Sequence, residues 1–198
     1  MRFVYKQFGG IRDFQVLISL VKEFQEKAEL DLNIIIKDCK ERIEYEISEL
    51  TDATGLFKYQ TILRNFKLIE AYVNNRMHDE LCSKVLNYKE DRAQKLNFYS
   101  DKGNEKRNLH EVRKMIKDIS YLMEMSADVL PDFSLELKSY KELGSLLGTW
   151  HDRAVLLNYL RQYQRNSKNS NLNFSRLFEE IVKEKTEMEE RYYSIISL

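Results

Sequence analysis

The sequence predicts an all-α fold, a bundle of helices, and three observations support this prediction. Only one proline, Pro131, and six glycines occur in 198 residues, so few positions interrupt a helix. Hydrophobic residues make up 43% of the chain, which is enough to bury a core. Over most of the chain these residues recur three and four positions apart, which is the spacing of one helix face.

The first half of the chain is predicted to contain four helices. No glycine or proline lies between Asp13 and Leu50, and two apolar stripes in this stretch indicate two helices with a break near residues 26–30. After a turn at residues 51–55, two further helices are predicted through residues 57–69 and 81–96.

The second half follows the polar loop at residues 100–104, which is the best candidate for a boundary between halves. A helix is predicted over residues 105–129, stopped by Pro131, and a second over 135–147, ended by Gly148. The next helix starts near Thr149 or Asp152 and reaches about residue 164. After the polar loop at 166–171, a last helix covers residues 173–196. We therefore expect one domain, 1–198, with half-repeats in 1–99 and 105–198.

Charge and cysteine usage limit the classes of function. The chain has 32 Lys and Arg against 32 Asp and Glu, so any anion site must come from local clustering. No apolar run approaches the ~20 residues of a membrane span, and the N-terminus lacks the apolar core of a signal peptide. Cys39 and Cys82 lie far apart without a CxxC motif, as in a protein with reduced thiols. We therefore expect a cytoplasmic protein.

One segment near the N-terminus recurs near residue 148. Residues 8–18 (FGGIRDFQVLI) align with residues 147–157 (LGTWHDRAVLL). The matched pairs are Gly9 with Gly148, Arg12 with His151, and Asp13 with Asp152. We interpret each glycine as the left-handed end of one helix and each aspartate as a residue in the first turn of the next, where the helix dipole favours a carboxylate. Both aspartates also fall on apolar faces, so each is expected to have a partner, as a cap or in an ion pair.

The chemically most distinctive segment is residues 109–121. At 100° per residue in a helix, one face carries cations and a tyrosine, and the opposite face is apolar. The residues of the polar face, here called the basic stripe, are His110, Arg113, Lys114, Lys117 and Tyr121. Cations one helical turn apart suit a chain of phosphates. The alternative is an ordinary solvated face in which Lys114 pairs with Asp118.

These residues resemble a known family. Leu109, His110, Arg113, Lys117 and Tyr121, followed about 38 residues later by Leu147-Gly148 and Asp152 to Leu157, are similar to the conserved-histidine α-helical domain, CHAD. The resemblance implies two pseudo-symmetric helical halves. It also implies that inorganic polyphosphate binds to basic residues facing a central groove, here His110, Arg113, Lys114 and Lys117. Arg12 and His151 are predicted to contribute as well, and His151 joins His110 if the two parts of the motif pack together. Gly9, Gly148, Asp13, Asp152 and Tyr121 are predicted to be structural.

Two departures from the family pattern affect this interpretation. Asp118 and Ser120 stand where the family has further arginines. The chain also begins only seven residues before Phe8-Gly9, so the His/Arg helix that precedes this segment in the family is missing and the N-terminal half-repeat is expected to be incomplete. Either the protein is a shortened member of the family, or the start is displaced, or a second copy of the chain supplies the surface. A missing helix leaves apolar surface uncovered, and such surface promotes association. We therefore predict a homodimer.

Three classes of function remain to be weighed. The first is a non-catalytic module that binds inorganic polyphosphate or a similar polyanion. The second is a helical interaction or scaffold protein that has largely lost the anion site, which Asp118 and Ser120 favour. An enzyme is the weakest reading, because the chain has no E-x-x-H, HExxH, Walker A or GxSxG motif and its three histidines lack metal-ligand spacing. No metal, cofactor, membrane or specific nucleic-acid partner is predicted.

Overall fold

Seven helices account for the secondary structure of the described residues. The computed structural model describes residues 2–28, 30–54, 59–74, 78–100, 105–128, 130–166 and 174–196, and no strand occurs among them. The helices are α1 (Arg2–Ala28), α2 (Asn33–Thr54), α3 (Tyr59–Asn74), α4 (His78–Ser100), α5 (Glu105–Ser126), α6 (Phe133–Asn166) and α7 (Ser175–Ile196). The predicted all-α class is confirmed. The predicted loops at 100–104 and 166–171 are wrong for their first residues, because Ser100 ends α4 and Asn166 ends α6, and the remaining loop residues lie outside the described residues.

The chain forms two compact units. Unit 1 combines Met1–Tyr59 with Asp152–Thr186, and unit 2 combines Gln60–His151 with Glu187–Leu198. Helices α6 and α7 therefore contribute residues to both units. The predicted half-repeats, 1–99 and 105–198, are defined by the sequence repeat, and their bounds differ from those of these units. The half-repeats therefore remain a prediction.

Unit 1 is built around apolar faces of α1, α2, α6 and α7. Its buried residues are Leu17, Leu20, Val21, Phe24, Leu32, Ile35, Ile36, Cys39, Leu156, Leu157, Leu160, Phe174, Leu177 and Ile181. The predicted break between the first two helices is confirmed, because α1 ends at Ala28 and α2 begins at Asn33. Two amide groups at this break have side-chain acceptors: Leu32 N–H donates to Gln25 Oε1 at 3.2 Å and Asn33 N–H to Asp31 Oδ1 at 3.0 Å. The predicted turn at 51–55 is wrong for its first four residues, because α2 continues to Thr54.

Unit 2 contains two neighbouring clusters of buried residues, and α5 contributes to both. The first cluster is Leu109, Val112, Ile116, Leu147, Trp150 and Tyr192, and the second is Ile119, Met123 and Phe133. Helix α5 ends at Ser126, five residues before Pro131, as the proline predicts. The Leu130 N–H then donates to the carbonyl of Ser126 at 2.9 Å and closes the turn.

The interpretation of Gly9 and Gly148 as helix ends is wrong. Helix α1 starts at Arg2 and passes through Gly9, and α6 runs without interruption from Phe133 to Asn166 through Gly148. A glycine inside a helix costs only about 1 kcal/mol relative to alanine. Apolar residues on both sides of Gly148, including Leu147 and Leu156, are buried in the two cores, and this burial outweighs the cost.

Helix α3 carries exposed apolar residues. Leu63, Phe66 and Leu68 are 43%, 65% and 60% exposed, and the charged residues Arg64 and Lys67 lie between them. None of the helices in the described part of the chain is both long enough and apolar enough to cross a membrane.

Candidate anion-binding site

Helix α5 separates the basic stripe from an apolar face, as its sequence predicts. The buried side chains of that apolar face are Val112, Met115, Ile116, Ile119 and Met123. On the other face His110, Lys114 and Tyr121 are exposed, and Arg113 and Lys117 are half-buried. The cations therefore share one side of a helix whose other side is fixed in the core of unit 2.

Arg113 and Lys117 stand one helical turn apart with their charges available. Within the described part of the chain neither side chain pairs with a carboxylate, and Arg113 Nε is buried without a hydrogen-bond partner. A buried donor that lacks an acceptor carries a free-energy penalty, and the Arg113 side chain would escape this penalty if it turned its guanidinium towards a bound anion. Partial burial also strengthens the attraction between these cations and an anion, because screening by water is reduced.

Lys114 is less available than its neighbours. Its Nζ donates to Glu111 Oε1 at 2.7 Å, and this hydrogen bond holds the pKa of Glu111 below its ordinary value. Both side chains are about half exposed, so the pair is screened by water and contributes little to stability. An anion at the stripe could therefore draw Lys114 away from Glu111.

The two departures from the family pattern occupy different places. Asp118 is exposed and lies 3.8 Å from Arg92 Nη2, so the Lys114–Asp118 pair considered above is not formed. Ser120 is buried and follows Arg113 by seven positions, so it lies on the same side of α5, at the buried edge of the stripe. The sequence analysis did not single out Arg92. It lies on α4, which packs against α5, and it offsets the negative charge of Asp118 beside the stripe.

Histidines of two helices meet in unit 2. The ring centroids of His110 on α5 and His151 on α6 are 5.2 Å apart, and the ring planes are tilted by 39°. The expectation that His151 joins His110 is confirmed as a ring contact. Two imidazoles at the end of a row of cations give the stripe donors whose charge depends on pH.

The repeated segments do not place their aspartates as predicted. Asp13 and Asp152 lie inside α1 and α6 rather than in a first turn, because both helices pass through the preceding glycine. Asp13 is exposed and needs no partner, and Asp152 is half-buried. Arg12 is exposed in unit 1, whereas the basic stripe belongs to unit 2, so its predicted part in anion binding stays a prediction.

The buried charge of the second repeated segment is Arg153, which follows Asp152. Arg153 Nε donates to Glu184 at 2.8 Å and Nη2 to Glu23 at 3.0 Å. Lys27 donates to the same two carboxylates, at 2.7 Å to Glu23 and 2.8 Å to Glu184. The guanidinium also lies 5.2 Å from the centre of the Phe24 ring. These residues connect α1, α6 and α7 within unit 1, so their role is structural.

Unit 1 contains a second polar cluster, which was not predicted from the sequence. Asp38 accepts hydrogen bonds from the Tyr159 hydroxyl and, at 2.8 Å, from Arg42 Nε. Burial, followed by the hydrogen bond to Asp38, raises the pKa of Tyr159. These three side chains line a cleft of about 410 Å³ together with Phe14, Gln162, Tyr163 and Asn166. Both charges of the cluster are paired with each other, so the cleft offers no unsatisfied charge to a ligand.

Comparison with known proteins identifies the family. The family model described as the CHAD domain matches residues 1–161 of the 198-residue chain. The chain therefore belongs to the CHAD domain family, which is associated with polyphosphate binding. No curated protein and no solved structure matches the chain. Among the described residues, no three His, Cys, Asp or Glu side chains are placed to hold a metal ion.

Proposed function

We propose that this chain is a non-catalytic module that binds inorganic polyphosphate or a similar phosphate-rich polyanion through the basic stripe of α5. The observation that carries the proposal is that Arg113 and Lys117 have no carboxylate partner among the described residues. Both are half-buried on one helix face, and no carboxylate of the described residues neutralises them. Membership of the CHAD family supports phosphate as the anion.

Each residue of the stripe would have a distinct part. Arg113 presents a planar fork of N–H donors that matches two phosphate oxygens, and Lys117 presents a mobile point charge one turn further along. His110 and His151 extend the row of donors at its N-terminal end. A polymer of phosphates can contact all of these groups at once, whereas a single phosphate cannot, so chain length should raise affinity.

A charge-removal experiment tests the proposal. The double variant Arg113→Ala with Lys117→Ala is compared with the natural chain by fluorescence anisotropy on end-labelled long-chain polyphosphate at several salt concentrations. Affinity should fall by roughly 10- to 100-fold, because two charge-assisted contacts are lost. The plot of log affinity against log salt should also become less steep, by about 1 to 2, because fewer counterions are released on binding.

The matched control removes the same number of charges elsewhere. Lys37→Ala with Arg176→Ala takes away one Lys and one Arg whose side chains are 76% and 73% exposed in unit 1. This variant should keep the affinity and salt dependence of the natural chain. If both double variants lost affinity for polyphosphate equally, the attraction would be nonspecific and the proposal would be contradicted.

The alternative function is a helical interaction or scaffold protein that no longer binds the anion. The pairing of Lys114 with Glu111 and the position of Asp118 beside the stripe favour this alternative, because both carboxylates reduce the positive charge there. Absence of polyphosphate binding by the natural chain at low salt would support it.

We also propose that two copies of the chain associate through α3. The support is the exposure of Leu63 and Phe66, which lie three positions apart and therefore share one face of α3. Apolar surface grouped in this way promotes association, and a second copy presents an identical surface in a symmetric dimer.

A further inference from the structure

The contact between His110 and His151 has a consequence for any anion that binds beside it. The two rings come from α5 and α6 and lie 5.2 Å apart between centroids. His110 is exposed and His151 half-buried, so protons can reach the pair from solvent. Histidine is the side chain whose charge ordinarily changes between pH 5 and 8.

The charged neighbours of this pair come from three helices. On α5 they are Glu111, whose carboxylate accepts a hydrogen bond from Lys114, and Arg113. On α6 Asp152 follows His151 along the helix. Helix α7 presents Glu189 to α6, where it accepts a hydrogen bond from Trp150 Nε1 at 2.8 Å. After the hydrogen bond from Lys114, the nearby His110 also helps to hold the pKa of Glu111 below its ordinary value, so this carboxylate interacts with the pair.

The charges around both imidazoles would differ between the free protein and a complex with a polyanion. Two positive charges side by side repel each other, and Arg113 adds a third positive charge on the same helix face. A polyanion that lies along the stripe would face all three cations and remove this repulsion. Protons and polyanion should therefore promote each other's binding, because the bound state holds more protons than the free state.

We infer that anion binding at the basic stripe is coupled to proton uptake by the His110–His151 pair, so affinity for polyphosphate increases as the pH falls from about 8 to about 6. This inference rests on the proposed function. The direction follows from linkage: a complex that takes up protons is favoured where protons are more abundant. Uptake of one proton strengthens binding by up to about tenfold per pH unit.

The first measurement uses the natural chain of 198 residues. Its affinity for long-chain polyphosphate is measured at pH 6, 7 and 8 at constant ionic strength and without divalent cations. Long chains are needed because their internal phosphates stay ionised over this range, so the ligand's charge hardly changes. Calorimetric titrations at pH 7 in two buffers of different ionisation enthalpy then count the protons taken up. We expect roughly tenfold tighter binding at pH 6 than at pH 8, with net proton uptake at pH 7.

The second measurement assigns the effect to the pair. His110→Gln and His151→Gln should each lower the affinity for polyphosphate, and the loss should be larger at pH 6 than at pH 8. In each variant the ratio of the affinity at pH 6 to the affinity at pH 8 should therefore approach one. His78→Gln removes the only other histidine of the chain and should keep the full ratio. Thermal melts at pH 6 and 8 verify that each variant is folded under both conditions.

The outcomes separate this inference from the proposed function. If the natural chain does not bind polyphosphate at any pH, both fail. Binding with equal affinity at pH 6 and 8 and no proton uptake overturns the coupling and leaves the anion site in place. A pH dependence that persists in both the His110 and His151 variants overturns the assignment to this pair.

Discussion

At the scale of single residues, Arg153 shows how a charge can be buried in this fold. Its side chain is 7% exposed, and two carboxylates and the Phe24 ring surround its guanidinium. Lys27 donates to the same carboxylates, so two cations and two anions alternate. Burial alone would raise the pKa of Glu184, but the hydrogen bonds from Lys27 and Arg153 outweigh it and the pKa lies below its ordinary value.

Replacement of Arg153 by methionine should destabilise the protein although it keeps most of the side chain's volume. Glu23 and Glu184 would retain only Lys27 as a partner, and an uncompensated carboxylate in a half-buried site is costly. We expect the free energy of unfolding to fall by about 2–3 kcal/mol at pH 7, less than for a fully buried pair because Glu23 remains 38% exposed. Urea denaturation measures this change, and an unchanged midpoint would contradict it.

In acid, the free energy of unfolding of Arg153→Met should come close to that of the natural chain. A carboxyl group with a lowered pKa in the folded state stabilises the protein above its unfolded pKa, near 4.5 for Glu184, and this contribution disappears as the pH falls through the folded value. The difference between the natural chain and Arg153→Met should therefore shrink between pH 5 and about pH 3. Lys22→Met, an exposed substitution on α1, serves as the control. A difference that stays constant over this range would show that lost packing, not charge, causes the effect.

Part of this residue-scale detail could have been predicted. Arg153 lies three, four and seven positions before Leu156, Leu157 and Leu160, so helical spacing alone places it on a buried face. Its partners Glu23 and Glu184 could not be predicted, because they belong to other helices and only tertiary packing brings them near. The same limit applies to the ring contact of His110 with His151, which the sequence could state only as conditional on packing.

At the scale of helices, periodicity predicted faces better than it predicted ends. The apolar and basic sides of α5 follow from 100° per residue, a local property that packing preserves. Helix ends depend on a balance between local propensity and burial, and Gly148 illustrates it. Local rules favour a stop at glycine, yet α6 continues because residues on both sides of Gly148 are buried in different cores.

Gly148→Ala tests whether α6 continues through residue 148, because the change in the free energy of unfolding has opposite signs for a glycine inside a helix and a glycine at a helix end. A Cβ atom at this position would meet nothing within 4 Å, and Gly148 has ordinary helical backbone. Alanine should therefore stabilise the protein by about 0.5–1 kcal/mol, because glycine loses more backbone entropy on folding. Thermal and urea unfolding measure the change, and Gly9→Ala in α1, which also meets nothing within 4 Å, should behave alike. Destabilisation by Gly148→Ala would indicate a left-handed conformation and a helix end.

At the scale of the whole molecule, the two compact units include residues that lie beyond the end of the match to the CHAD family. The CHAD model ends at residue 161, yet α7 supplies Leu177 and Ile181 to the core of unit 1 and Tyr192 to the core of unit 2, and Phe174, which precedes α7, is also buried in the core of unit 1. The residues beyond the match are thus part of both compact units. Periodicity predicted α7 as a helix, but it could not tell that one helix serves two cores, because that depends on how distant segments cluster.

Self-association through α3 is the prediction that concerns the whole molecule. Light scattering on a sizing column should give the natural chain about twice its monomer mass of 23.8 kDa at micromolar concentration. Phe66→Glu places a charge on the exposed apolar face that Phe66 shares with Leu63 and should weaken the dimer at least about tenfold, because a charge without a partner is costly inside an interface. Leu135→Glu is the matched control, since Leu135 is 82% exposed on α6, a different helix, and it should stay dimeric. A natural chain that remains monomeric at all concentrations, or a dimer that survives Phe66→Glu, would contradict association through this helix.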